Sequence, residues 1–66
     1  MVTQAEKNAI AREFWPVNVK KALSNYRWER DYWFNMPYDN WQKEDQLWSA
    51  IDARRAYWNA RKAAGL

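Results

Sequence analysis

The segment Tyr26-Arg27-Trp28-Glu29-Arg30-Asp31-Tyr32-Trp33-Phe34 places five aromatic rings and four charged groups in nine consecutive residues. On a helix these rings fan out over more than one side, so they cannot all enter one core. Some of them must meet solvent or a partner. The helical reading follows from what flanks them. One Gly and two Pro in 66 residues supply too few turn formers for a hairpin-rich β fold, and the scarcity of Ser, Thr, Pro and Gly argues equally against disorder.

Three helices are expected. The first is announced by Thr3-Gln4-Ala5-Glu6, in which the Thr3 hydroxyl can accept from the Glu6 amide while the Glu6 carboxylate reaches back to the Thr3 amide. It runs from about 4 to 14, with Ile10 and Phe14, one turn apart, as its core face. Trp15 precedes Pro16 and is biased out of helical geometry, which ends it. Pro16 is suited to open a second helix, at about 17 to 34, because its missing N–H is harmless there. Val19, Ala22, Leu23, Tyr26 and Trp33 fall on one stripe of that helix, with Arg30 inside it and Trp28 and Tyr32 nearly opposite. Arg30 is expected to pair with an acid of the third helix, such as Glu44, or to lie across a ring. Pro37 forbids continuation, and Asp39 or Asn40 can cap a third helix at about 40 to 64 that stops before Gly65. Its acids Glu44, Asp45 and Asp52 come early and its cations Arg54, Arg55, Arg61 and Lys62 come late, which complements the helix dipole. Leu47, Trp48, Ile51 and Trp58 form its principal apolar stripe, extended by Trp41. On an adjoining side, Ala50, Ala53, Tyr57, Ala60 and Ala64 make a smooth surface that permits close approach of another helix.

The expected fold is therefore all-α: one small three-helix domain over residues 1–66, with the second and third helices as an antiparallel hairpin. It shares its outline with DNA-binding helix-turn-helix domains. However, the turn after Phe34 lacks Gly, and the following helix opens with acids and Trp instead of base-reading Asn, Gln or Arg.

Composition removes most chemistry. Cys and His are both absent, so disulfides and ordinary zinc or haem sites are not available, and there is neither a thiol nucleophile nor an imidazole base. No phosphate-binding glycine loop and no EF-hand pattern occurs. The chain is read as a non-enzyme with no cofactor and no metal. No apolar run approaches the roughly 18 residues of a membrane span, and residues 1–6 lack the basic-then-apolar pattern of a signal peptide, so the expected setting is cytoplasmic, intracellular and soluble.

What remains is binding. Six Trp exceed what a core this small needs. Trp28 and Tyr32, together with Trp15, Tyr38 and Trp41, are expected to dock onto a larger protein, or onto a second copy in a homo-oligomer. The module would then be a small adaptor, inhibitor or minor assembly subunit, of the kind viruses also encode. The competing reading buries Trp28 and Tyr32 beneath the first helix. A separate expectation attaches to Trp58, which Arg54 and Arg55 precede and Arg61 and Lys62 follow at helical spacing. That cluster, helped by Lys20, Lys21 and Arg27, fits a nucleic acid with a base stacked on the ring. The plainer alternative is that the four cations cover a half-buried Trp with their alkyl stems.

Overall fold

The computed structural model describes residues 1–66 and contains α1 (Gln4–Glu13), α2 (Val17–Asn35) and α3 (Lys43–Ala63), with no strand. The fold is all-α, and α2 and α3 pack side by side as the antiparallel hairpin.

Local chemistry explains each boundary. The Thr3 hydroxyl accepts from the Glu6 amide at 3.1 Å and opens α1, while the reciprocal bond from Glu6 is not made. Before Pro16 the chain tightens: the Phe14 and Trp15 amides donate to Ala11 and Arg12 carbonyls three residues back. Pro16 stands one residue outside α2, extended at ψ 145°, and its carbonyl accepts from the Val19 and Lys20 amides. Met36, also extended, leads into Pro37 and ends α2 one residue later than expected.

The third helix starts three residues late, at Lys43. Asp39 makes no capping bond, and the Asn40 side chain is engaged in its own turn, accepting from the Gln42 amide at 2.8 Å. Lys43 closes the connection, donating from Nζ to the Met36 carbonyl at 2.9 Å. At the far end Gly65 has φ 74°, the Leu66 amide donates to the Arg61 carbonyl and the Gly65 amide to Lys62. This is a Schellman closure, which requires the left-handed residue. Nothing lies near the site of an added Cβ, so Gly65→Ala is expected to cost only the backbone strain, about 1 kcal/mol, seen as faster hydrogen exchange at the Leu66 amide.

The core is the seam of the hairpin. Val19 is wholly enclosed, and Ala50, Ala53 and Tyr57 are the other buried residues. Bulk comes from α2 and smallness from α3: Tyr26 and Trp33 are half-buried on α2, Tyr26 stacked on Tyr57 and Trp33 beside Lys43 and Leu47. This corrects the expectation for α3. The alanine side faces α2; Leu47 and Ile51 lie half-buried at its margin, while Trp48 (57%), Trp58 (48%) and Trp41 (79%) are exposed. Two helices that both turned indoles inward would stand too far apart to enclose either set.

Tyr57 is the hub. Its ring stacks with Tyr26 (6.3 Å) and Trp15 (6.5 Å) and meets Trp58 at a tilt (5.5 Å). Between α2 and α3 the polar link joins Gln46 Nε2 to both the Glu29 carbonyl and the Glu29 carboxylate. Arg30 does not reach Glu44. It pairs with Asp31 at 3.2 Å and lies 5.6 Å from the Tyr26 centroid, so the expected ring contact is present and the expected ion pair is not.

The first helix does not complete a three-sided bundle. Ile10 (51%) and Phe14 (83%), the expected core face, are exposed, and α1 has no buried residue. It is tethered by Trp15 against Tyr57 and by Lys20 Nζ donating to the Glu13 carbonyl at 3.3 Å. The shape reflects this. The radius of gyration is 14.4 Å against about 11 Å for a compact chain of this length, and the thinnest extent is 14 Å, about the width of two packed helices.

Candidate binding surfaces

With α1 splayed, both flanks of the hairpin carry aromatic side chains, and the structure sorts the expected site residues into separate groups. On one flank Trp28 and Tyr32, one helical turn apart on α2, stack at 5.3 Å with planes 13° apart. They stay 60% and 48% exposed, because α1 does not cover them. Stacked in this way, the two rings present one apolar block. Beside it, Tyr32, Met36, Trp41, Gln42, Asp45 and Ser49 line a shallow depression. Trp28, Tyr32 and Trp41 thus contribute to one continuous surface.

Tyr38 meets that surface only at its edge, through a depression that it shares with Trp41, and Trp15 does not join it. Tyr38 projects from the α2–α3 connection, where the Lys43 ammonium lies 5.8 Å from its ring and 5.4 Å from that of Trp33. Trp15 is half-buried at the opposite end of the hairpin, in a cation–π cluster around Arg61. The Arg61 guanidinium carbon is 4.5 Å from the Trp58 centroid, 5.1 Å from Trp15 and 5.7 Å from Tyr57. Its Nη1 makes a long 3.4 Å bond to the Tyr57 hydroxyl, and its buried Nε has no hydrogen-bond partner. Arg61 is therefore committed to the rings, as in the plainer reading of this cluster.

The other cations around Trp58 are free. Arg54, Arg55 and Lys62 are exposed, and Ile51, Arg54, Arg55, Trp58 and Asn59 line an open groove along α3. A further depression between α1 and α2 is lined in part by Arg12, Lys20 and Arg27.

Sequence reasoning missed the role of Tyr57 and of Lys43. Tyr57 was visible as the single large residue on the alanine side of α3, which is the position a hub must occupy. Lys43 carried no local signal, because its partners lie across the connection. The chain matches no protein family, no curated protein and no solved structure. No helix is long and apolar enough to cross a membrane.

Proposed function

We propose that this chain is a non-catalytic protein-binding module, a small adaptor, inhibitor or minor assembly subunit that docks through the Trp28–Tyr32 flank. The observation that carries the reading is unspent surface. A folded monomer of 8.1 kDa exposes about 4,500 Å², whereas this chain exposes 5477 Å². The excess of about 1,000 Å² is close to the roughly 800 Å² per partner that a standard specific interface removes from water. Trp and Tyr dominate binding energy when desolvated, and a pre-stacked pair has little rotamer freedom left to lose. Asp45, Gln42 and Ser49 at the edge of the depression supply the polar rim of such a patch.

Trp28→Ala and Tyr32→Ala are each expected to weaken partner binding by more than about 1 kcal/mol, roughly fivefold, and to lower the melting temperature by no more than about 4 °C. Affinity capture from the native host with wild-type and doubly substituted baits tests this. A protein held by the first and lost by the second is the expected result, and equal retention would reject this flank. A dimer in light scattering that the same substitutions dissolve would make a second copy the partner.

A further inference from the structure

The net charge of +3 conceals a separation of charge between the two flanks of the hairpin. Side chains three and four apart share a helix face, so each helix has one row on either side of the buried seam. The first flank is fixed by the depression in which Tyr32 and Met36 meet Asp45 and Ser49. Continuing those rows adds Trp28 and Lys21 on α2 and Asp52 on α3, with Glu29 near the seam, so this flank holds one cation against three acids. The remaining rows lie on the other flank. There Lys20, Arg27, Arg30, Arg54, Arg55 and Lys62 are exposed and face only two acids, Asp31 and Glu44, of which Asp31 is already paired to Arg30. Arg12 and Glu13 of α1 add one further cation and one further acid beside Lys20 and Arg27, which leaves the excess of cations on this flank at four.

We infer that this basic flank binds single-stranded nucleic acid through its phosphates and one stacked base. This goes beyond the protein-docking reading, because it rests on a different surface and stands or falls separately. Three features favour a nucleic acid over an acidic protein. Four of the six exposed cations are Arg, whose planar fork matches phosphate oxygens in a way a Lys ammonium does not. An aromatic ring, Trp58, stands among them at 48% exposure, with Arg54 and Arg55 in the same groove. Base stacking on such a ring tolerates any sequence and takes a base that is not held in a duplex stack. The opposed acidic flank keeps the chain from wrapping a polyanion on both sides, so the strand is held along one face.

The test uses the full-length chain and fluorescein-labelled 15-mers of deoxythymidylate and uridylate, read by anisotropy at 50 and 200 mM salt. Neutralising four to six phosphates predicts that affinity falls about 50- to 300-fold between those salts. The two sugars should bind alike, since nothing on the flank reads the 2′-hydroxyl. Arg27→Glu and Lys21→Glu change the charge equally on one helix but on opposite flanks. The first is expected to weaken binding at least fivefold and the second no more than twofold, with helicity unchanged in both. Trp58→Phe should remove most of the tryptophan quenching that accompanies saturation. No binding at 50 mM salt, equal losses from the two reversals, or displacement of the oligonucleotide by polyglutamate at equal charge would each overturn the inference.

Discussion

Tyr57→Ala is expected to remove about 3–5 kcal/mol of stability, the usual range for truncating a large buried aromatic. A chain of 66 residues has only about 3–10 kcal/mol to lose, so the variant should be largely unfolded at room temperature or left with a shallow melt. The cause is specific. Tyr57 touches Tyr26 from α2, Trp15 from the α1–α2 connection and Trp58 from its own helix, and truncation leaves a void that rings on three segments cannot close together. Tyr57→Phe separates packing from hydrogen bonding. The hydroxyl receives only a long bond from Arg61, so its loss should cost about 1 kcal/mol or less. Urea denaturation followed by circular dichroism measures both. A Tyr57→Ala chain with a wild-type midpoint would mean that the hub is misplaced.

The second large effect is expected at a residue with almost no side chain. Ala53→Leu inserts three carbon atoms into the seam between α2 and α3, where Ala50 and Ala53 are both buried. Overpacking of this kind costs about 1–3 kcal/mol. Here it acts on the only extensive helix–helix contact in the molecule, so the upper end is expected. Trp48→Ala is the control. The indole is 57% exposed, and its removal should shift stability by less than about 1 kcal/mol although far more apolar atoms are lost. If the order of the two were reversed, α3 would be turned the other way.

That pair also marks how far the sequence could be read. The breaks at Pro16 and Pro37, the Thr3 cap, the Gly65 stop and the hairpin were all legible, because each depends on residues within a few positions of one another. The facing of α3 was not. Its bulky stripe at Leu47, Trp48, Ile51 and Trp58 and its small stripe at Ala50, Ala53, Tyr57 and Ala60 both recur at helical spacing. Which one is buried depends on the volume already supplied by α2, a tertiary quantity. Ile10 and Phe14 failed for a related reason: an apolar pair one turn apart records what a helix could cover, and α1 finds no surface to lie on. Trp28 and Tyr32 were legible as an outward pair, but their exposure became decidable only when α1 proved to be splayed. Among the cations, spacing grouped Arg54, Arg55, Arg61 and Lys62, yet only the ring contacts distinguish Arg61 from the three that remain free.

Arg61 also joins two regions that are far apart in the chain. One guanidinium lies over Trp15, which tethers the amino-terminal arm, and over Trp58, which forms part of the groove on α3. A ligand that claimed the same face of Trp58 would have to displace that guanidinium and so weaken the tether. By thermodynamic reciprocity, freeing the arm would make that face easier to occupy. Occupancy of that face and attachment of the arm would then be linked equilibria. A shortened chain beginning after Trp15 would not be a neutral miniature of the whole, because it would have lost one side of that exchange.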